Sequence, residues 1–344
     1  MPNPVITRAI DRVAGGTDLT ADEASQVLRE VMEDRASEAQ SAAFMIALRT
    51  KGETVAEIAG LARTMRELAL RVETGQDGLV DTAGTGGGVP TFNVSTTAAL
   101  IAAAAGCKLA KHGNRSATSQ CGSADVLEAL GVRIDLGPEA VAACIEELNF
   151  GFMFAPRFHL AMRYVVPVRK ELAVRTIFNF LGPLTNPAGA RRQVIGVSDP
   201  KYMQTIAAAL AELGTERALV VSSADGLDEL SAAGPTRVVE LKGGTIESYE
   251  FTPGQAGLEA AAHGAVGAGS PAQNAQVVHR IFAGAEGVER STAALNAGAA
   301  LYVGGHASSI ADGVRSAETA LDGGAASRLL ERLVERTREL AEAH

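Results

Sequence analysis

The stretch Asp81-Thr-Ala-Gly-Thr-Gly-Gly-Gly-Val-Pro-Thr-Phe-Asn-Val-Ser-Thr96 is the strongest structural signal in this chain of 344 residues. It follows the apolar pair Leu79-Val80, which indicates a strand, and leads into an alanine-rich segment over residues 95–105, which indicates a helix. Four glycines within five residues let backbone amides approach a phosphate, and the helix N-terminus adds partial positive charge. The stretch lacks the Gly-Lys-Ser/Thr of a Walker loop and has Val89 where the dinucleotide fingerprint has its third glycine. We therefore expect a phosphate-binding loop of another kind, with a plain strand–turn–helix junction as the alternative.

A second polar loop, Lys111-His-Gly-Asn-Arg-Ser-Ala-Thr-Ser119, follows the next predicted strand, residues 107–111. Ligands of open α/β sheets bind at the carboxyl ends of the strands, so both loops should meet at one edge. Cationic groups suit an anion, while hydroxyl and amide groups fix its orientation. The sequence predicts a second part of the same anion site, with a solvated loop as the alternative. Ser123, just beyond, is interpreted as a helix cap, a further phosphate contact, or both.

An acidic turn, Asp225-Gly-Leu-Asp-Glu229, follows the predicted strand over residues 218–222. Carboxylates together with phosphate oxygens are the ligands that Mg²⁺ prefers, so Asp228 and Glu229 are candidate metal ligands. The alternative is a helix start whose acidic residues complement the helix dipole. Because two anion-binding loops are expected beside this turn, we favour the metal site.

Two arginines, Arg163 and Arg169, lie in a stretch that continues to a segment rich in glycine and proline, Phe178-Asn-Phe-Leu-Gly-Pro-Leu-Thr-Asn-Pro187. An arginine that faces an apolar pocket suits a carboxylate, although such spacing alone is more typical of surface cations. Gly182 and Pro183 are expected to break a helix here. No nucleophile and no Ser-His-Asp order is evident, which suits a reaction that depends on positioning and charge stabilisation.

The chain changes character at Gly75. The residues before it contain no strand signal and are expected to form helices, because three pairs have the spacing of capping boxes: Thr20 with Glu23, Ser37 with Gln40, and Thr54 with Glu57. After Gly75, apolar runs alternate with helical patterns, with strands expected over residues 151–155, 193–197, 218–222 and 237–241. This alternation predicts an α/β fold with a mostly parallel sheet flanked by helices. A hairpin is expected around Gly243-Gly244.

Composition narrows the function classes. Lys and Arg total 31 against 40 Asp and Glu, aromatics are 4% and Trp is absent, so nucleic-acid and membrane-surface binding are not expected. Three cysteines, Cys107, Cys121 and Cys144, form no CxxC motif and are predicted to be free thiols. With no leader-like or long apolar segment, we expect a cytoplasmic protein.

The ordered set of motifs resembles the anthranilate phosphoribosyltransferase family of tryptophan biosynthesis. The resemblance covers residues 5–340 and rests on Gly84-Thr-Gly-Gly, Asn93-Val-Ser-Thr96, Lys111-His-Gly-Asn-Arg115, Gly122-Ser-Ala-Asp125, Val174-Arg-Thr-Ile-Phe-Asn-Phe-Leu-Gly-Pro-Leu-Thr-Asn-Pro187 and Gly226-Leu-Asp-Glu229. It implies a nucleoside phosphorylase/phosphoribosyltransferase-type fold. The implied helical domain spans residues 1–74 with a returning segment at about 164–187, and the α/β domain spans residues 75–344. The resemblance also implies a homodimer formed through the helical domain.

The resemblance implies transfer of a phosphoribosyl group from 5-phosphoribosyl 1-diphosphate to the amine of anthranilate, the second step of tryptophan synthesis from chorismate. No side chain is implied to react covalently. The implied contacts to phosphoribosyl diphosphate are Gly84, Gly87, Gly88, Thr91, Asn93, Val94, Ser95, Thr96, Lys111, His112, Gly113, Asn114, Arg115, Ser116, Ala117, Thr118, Ser119 and Ser123. The implied anthranilate contacts are Gly84, Asn114 and Arg169, with His112, Pro156 and His159 at the opening of the pocket. Two Mg²⁺ ions are implied at Ser95, Asp228 and Glu229.

The chain departs from the family pattern at the glycine loop. The family has Gly-Thr-Gly-Gly-Asp, whereas Gly88 stands at the acidic position and the loop is one residue shorter before Asn93. Leu160 replaces a usual proline. Three alternatives stay open. A pyrimidine nucleoside phosphorylase would need a Lys-His-Ser-Thr-Gly-Gly pattern that is missing, a nucleic-acid-binding paralogue would be a non-enzyme, and a phosphate-binding regulatory protein would follow if Gly88 abolished catalysis.

Overall fold

The computed structural model describes residues 2–116, 120–262 and 266–343. Four helices open the chain: α1 (Pro4–Ala14), α2 (Ala21–Met32), α3 (Glu38–Lys51) and α4 (Val55–Leu68). The predicted capping boxes at Thr20 and Thr54 form, each hydroxyl accepting from the amide of the third residue on. The third predicted capping box, at Ser37, forms only in part. The Ser37 hydroxyl accepts from the Gln40 amide, but the Gln40 side chain bonds the backbone of Asn3 instead of returning to Ser37. This exchange ties α3 to the start of α1.

A seven-stranded sheet forms the centre of the rest of the chain. Its strands are β1 (Val80–Gly84), β2 (Leu109–Gly113), β3 (Phe150–Phe154), β4 (Arg192–Gly196), β5 (Arg217–Ser223), β6 (Thr236–Lys242) and β7 (Thr245–Phe251). The order is β3-β2-β1-β4-β5-β6-β7, with the first five parallel and the last two antiparallel. The prediction of a mostly parallel sheet is thus confirmed. The hairpin also forms, with positive φ at both Gly243 and Gly244.

Helices cover both faces of this sheet. They are α5 (Val94–Ala104), α6 (Ser123–Ala129), α7 (Pro138–Leu148), α11 (Met203–Glu212), α12 (Pro271–Phe282), α13 (Val288–Gly304), α14 (Ile310–Asp322) and α15 (Ala325–Glu342). Helix α5 is buried on nearly every side because it lies between the sheet and α13. Its alanines permit this close approach, and its N-terminus is thereby fixed at the sheet edge.

The segment after β3 packs against the four opening helices. It contains α8 (Ala155–Phe158), a 3₁₀ helix (Leu160–Tyr164), α9 (Val166–Leu172) and α10 (Phe178–Leu184). Val168 and Phe180 share a buried core with Leu48 and Ile58 of the opening helices. The expected break at Gly182-Pro183 is wrong, since α10 runs through both. Pro183 is the penultimate residue of that short helix, which therefore ends directly after the proline.

The remaining expectations concern cysteines and membranes. Cys107, Cys121 and Cys144 are buried thiols that form no disulfide, as predicted. None of the helices in the described ranges combines the length and apolar content that a bilayer crossing requires.

Candidate active site

A cavity of about 1130 Å³ lies between the carboxyl edge of the sheet and the segment from α8 to α10. The parallel register brings the ends of neighbouring strands together there, with Gly84 beside Gly196 and Gly113 beside Phe154. Every described residue that the sequence pointed to as a site residue lines this one cavity. These are Gly84, Gly87, Gly88, Thr91, Asn93, Val94, Ser95, Thr96, Lys111, His112, Gly113, Asn114, Arg115, Ser116, Ser123, Pro156, His159, Arg169, Asp228 and Glu229. Ala117, Thr118 and Ser119 lie outside the described residues.

The glycine loop after β1 packs directly on the acidic turn. A Cβ atom on Gly84 would lie 2.9 Å from Oδ2 of Asp228, and one on Gly88 would lie 2.9 Å from Oδ1. The Val89 amide donates to the Gly226 carbonyl at 3.0 Å. Because neither Gly84 nor Gly88 has positive φ, close approach rather than backbone conformation requires glycine at both positions. The Asp228 carboxylate therefore fills the hollow of the loop.

The amino end of α5 is held by residues far away in sequence. Asn93 does not cap the helix, because its amide donates to the Cys121 carbonyl at 3.1 Å and its oxygen accepts from Asn274 at 2.8 Å. Asn274 lies on α12 and is only 2% exposed. No local sequence pattern pointed to Asn274, which is 181 residues from Asn93. The Thr96 hydroxyl is buried with no hydrogen-bond partner among the described residues, so a donor or acceptor at its position is unused.

Lys111 is not a free surface cation but a buried one, 1% exposed. Its ammonium donates to the Thr82 carbonyl at 2.5 Å and to the Ser95 hydroxyl at 3.3 Å. Burial lowers the pKa of Lys111, and the charges of Asp81 and Glu229 oppose that shift. Lys111 thus places positive charge behind the α5 N-terminus and orients Ser95.

Asp81 supports the second loop from behind. Its carboxylate accepts from the His112 amide at 3.1 Å and from the Asn186 side chain at 2.7 Å. Burial raises the pKa of Asp81 to about 6, although Lys111 opposes this shift. Asp81 began the glycine stretch in the sequence, but only its contacts reveal that it fixes the end of β2.

The second loop is partly occupied by its own contacts. Arg115 pairs with Asp125 at 2.8 Å and with Glu128, so its charge is already engaged. Ser123 bonds the backbone of Asn114 in both directions at 3.2 Å. The interpretation of Ser123 as a helix cap is wrong, because it is the first residue inside α6 and Gly122 holds the cap position.

Asp228 and Glu229 lie in a turn after β5, and no helix begins there, so the helix-start alternative is wrong. Burial raises the pKa of Asp228. Burial also raises the pKa of Glu229 to about 8, with the neighbouring Asp228 charge adding to the shift. In the described ranges no group of three or more His, Cys, Asp or Glu could hold a metal. Two hard carboxylates and the Ser95 hydroxyl fit Mg²⁺ when substrate oxygens complete its shell.

The opposite wall of the cavity differs in chemistry. Arg169 lies on α9 with its guanidinium 5.7 Å from the ring centre of Phe178, and burial lowers its pKa. No carboxylate pairs with Arg169 among the described residues. The His112 and His159 rings lie 5.0 Å apart. Burial lowers the pKa of His112 to about 3 and that of His159 to about 4, so both are neutral at pH 7.

The neutral histidines present acceptors to this wall. His112 Nδ1 lies 3.2 Å from the Gly182 carbonyl, so Nδ1 carries the proton and Nε2 is an acceptor. The Nε2 atoms of His112 and His159 are both buried without a partner among the described residues. One wall of the cavity thus suits an anionic diphosphate with a cation, and the other suits a small apolar ring bearing a carboxylate and an amine.

Two family models match the chain. The helical bundle domain of the glycosyl transferase family matches residues 7–69, and its a/b domain matches residues 76–327. These matches and the cavity define the class: a glycosyl transferase made of a helical bundle and an α/β part.

The similar proteins narrow this class. The anthranilate phosphoribosyltransferase of Rubrobacter xylanophilus is 51% identical, over 98% of this chain and 99% of its own length. That of Brevibacillus brevis is 48% identical, over 95% and 96%. The crystal structure of the Thermus thermophilus enzyme aligns with a TM-score of 0.91 at 46% identity, covering 96% of this chain and 99% of its own. The Saccharomyces cerevisiae enzyme in complex with PRPP and Mg aligns with a TM-score of 0.88 at 25% identity, covering 97% and 98%. The chain belongs to the anthranilate phosphoribosyltransferase family.

Proposed function

We propose that this chain transfers the 5-phosphoribosyl group of 5-phosphoribosyl 1-diphosphate to the amine of anthranilate and releases pyrophosphate. One observation carries the proposal: a single cavity joins the glycine loop, the α5 N-terminus and the acidic turn to the half-buried Arg169, which has no carboxylate partner among the described residues. The yeast neighbour described in complex with PRPP and Mg supports the donor. The names of the bacterial relatives support the acceptor.

The donor side is proposed to act through the glycine loop, α5 and the second loop. Amides at the α5 N-terminus and in the loop donate to the diphosphate. The Thr96 hydroxyl, which has no partner among the described residues, adds a further donor. Asp228, Glu229 and Ser95 would hold two Mg²⁺ ions. When bound, Mg²⁺ neutralises charge on the leaving diphosphate. Lys111 acts from behind through Ser95, because its ammonium is already committed to the protein.

The acceptor side is proposed to orient anthranilate by its carboxylate. Arg169 can grip that carboxylate with two parallel hydrogen bonds, which fixes the ortho amine toward C1 of the ribose. Gly84 and Asn114 lie on the facing side of the same cavity. The amine lone pair attacks C1 as the C1–O bond to diphosphate breaks, and the proton of the resulting ammonium passes to the released pyrophosphate or to solvent. An arylamine needs little deprotonation before it attacks, and the acceptor Nε2 of His112 can take a hydrogen bond from it.

Assembly and location are proposed alongside. We infer a homodimer formed through a helical domain of residues 1–74 with the segment at about 164–187, in a cytoplasmic setting. Ile46 and Val174 are exposed apolar side chains on these parts, which supports an interface there. Light scattering behind a sizing column tests it. Ile46→Glu should shift the mass toward one chain, whereas Val89→Glu, on the glycine loop, should not.

The activity is tested by following anthranilate fluorescence with phosphoribosyl diphosphate and Mg²⁺. We expect time-dependent loss of fluorescence that stops when EDTA is added. No loss under these conditions, together with phosphorolysis of a pyrimidine nucleoside or tight binding of nucleic acid, would replace the proposal by one of the alternatives. The names of the similar proteins given above point to neither alternative function.

A further inference from the structure

Arg175 lies in the connector between α9 and α10, six residues after Arg169, and its side chain reaches the glycine loop. Its Nη1 donates to the Ser198 hydroxyl at 2.9 Å, and that hydroxyl donates to the Gly86 carbonyl at 2.9 Å. The Ser198 amide also donates to the Thr85 hydroxyl at 3.3 Å. The guanidinium is therefore linked to two consecutive residues of the loop through one serine after β4.

The loop is shaped to admit this guanidinium. A Cβ atom on Gly87 would lie 2.5 Å from Arg175 Nη1 and 3.3 Å from its Cζ, and Gly87 has φ of +84°. Arg175 therefore occupies the space that any side chain at this position would need. Because a trans peptide directs its C=O and N–H to opposite sides, holding the Gly86 carbonyl also fixes the direction of the Gly87 amide. That amide belongs to the proposed diphosphate contacts.

The other end of the connector is tied to the opening helices. Arg49 of α3 donates to the Arg175 carbonyl at 2.9 Å. One residue thus joins α3, the segment that carries Arg169, and the glycine loop. A displacement of the loop must act on this connector, and a displacement of α9 must act on the loop.

Arg175 forms no ion pair among the described residues, although its charge acts on the Asp228 carboxyl and opposes the rise that burial causes in its pKa. No carboxylate lies within salt-bridge distance of it among the described residues, and its Nη2 is shielded from solvent without a hydrogen-bond partner. A shielded guanidinium donor with no acceptor costs stability, so an ordinary structural ion pair does not explain this residue. Its contacts are with the loop.

We propose that Arg175 is a positioning residue that sets the glycine loop for phosphoribosyl diphosphate through Ser198 and couples that loop to the segment carrying Arg169. This inference rests on the proposed function for the identity of the ligand. The loop contacts that it invokes are made within the chain itself, so they are testable without turnover.

The test compares Arg175→Met, Arg175→Lys, Ser198→Ala and the double variant Arg175→Met/Ser198→Ala. Lys170→Gln, which removes an exposed cation from the same segment, is the matched control. Hydrogen exchange of residues 84–88 is measured without ligand, and the Kd of phosphoribosyl diphosphate is measured calorimetrically with Mg²⁺. Melting temperatures report on global stability.

We expect faster loop exchange in Arg175→Met and Ser198→Ala, and a Kd raised roughly 10- to 150-fold in Arg175→Met and by about 2- to 12-fold in Ser198→Ala. Arg175→Lys should recover part of the loss. The double variant should be no worse than Arg175→Met, because both changes break one path. Lys170→Gln should match the unmodified chain in both measurements.

Two results would overturn the inference. Unchanged loop exchange with a raised Kd and a silent Ser198→Ala would make Arg175 a direct ligand contact. A lowered melting temperature with additive effects of the two changes on Kd would make it merely structural. If the unmodified chain binds phosphoribosyl diphosphate but does not consume anthranilate, the proposed function fails while the loop measurements still decide the role of Arg175.

Discussion

Replacing Gly88 tests whether the glycine loop and the acidic turn pack in the working enzyme as they do here. A Cβ atom at this position would lie 2.9 Å from Asp228 Oδ1, 3.0 Å from the Gly226 carbonyl and 3.1 Å from the Asp228 amide. Two of these neighbours are backbone atoms, so a rotamer change at Asp228 cannot relieve the contact. The loop must therefore lift from the turn, which strains the bond from the Val89 amide to Gly226.

The magnitude follows from the cost of overpacking a close contact, typically 1–3 kcal/mol, or roughly 5- to 150-fold in an equilibrium or rate. Gly88→Ala should therefore lower kcat/KM for phosphoribosyl diphosphate within that range. Gly88→Asp should be worse, because it adds the same Cβ and a second carboxylate beside Asp228, whose pKa burial already raises. The family pattern expected from the sequence resemblance has aspartate at this position, so restoring that aspartate is expected to lower activity and not to raise it.

The assay is the initial rate against phosphoribosyl diphosphate concentration at saturating Mg²⁺ and anthranilate. Gly75→Ala is the matched control, since a Cβ atom there meets nothing within 4 Å and its φ is not positive. Activity of Gly88→Asp equal to or above that of the unmodified chain would show that the loop has room for the side chain, contrary to this prediction.

Three further predictions concern the two sides of the cavity. Arg169→Ala should raise the anthranilate KM roughly 10- to 150-fold, and Arg169→Lys should recover only part of that loss. The steady-state KM for phosphoribosyl diphosphate should stay nearly constant. A raised KM for phosphoribosyl diphosphate with an unchanged anthranilate KM would instead place Arg169 in the donor site. In a Mg²⁺ titration, the double variant Asp228→Asn with Glu229→Gln should lose turnover at limiting Mg²⁺, whereas the control Asp199→Asn should keep it. Full activity of the double variant would show that these two carboxylates do not bind the metal. His112 and His159 titrate near pKa 6.5 when unfolded but at about 3 and about 4 when folded, so their stabilisation is complete above pH 6.5 and is lost as the pH falls. Denaturant unfolding curves should show the free energy of unfolding falling by about 2 kcal/mol per histidine between pH 7 and pH 5. His159→Gln should remove the contribution of His159 to this fall. An unchanged pH dependence in that variant would show that His159 is not buried in its neutral form.

Local patterns identified most of the architecture in advance. The strand–glycine–helix stretch, the alternation after Gly75 and the hairpin at Gly243-Gly244 are encoded within a few residues, and each forms. Strand β1 extends to Gly84, beyond the apolar pair, because Gly84 pairs with Gly196 across the parallel sheet. Such pairing depends on a residue 112 positions away and leaves no local trace.

The residues that hold the site in place were harder to predict than the residues that line it. Asn274 holds Asn93 from α12, and Asn186 joins Asp81 to β2. Arg175 stood inside a quoted motif, but its role depends on Ser198 and on the space above Gly87. In each case the side chain type is ordinary, and only the tertiary contact gives it a function. Lys111 shows the reverse, because a residue that suggested a phosphate contact turned out to bond Thr82 and Ser95.

The most direct test of the account is to follow both products in one reaction of the purified chain with anthranilate, phosphoribosyl diphosphate and Mg²⁺. Phosphorus NMR would measure pyrophosphate, and mass spectrometry would measure N-(5-phosphoribosyl)anthranilate. We expect one pyrophosphate for each anthranilate consumed, and neither product when EDTA replaces Mg²⁺. Release of pyrophosphate at the same rate without anthranilate, with no phosphoribosylated amine formed, would contradict it.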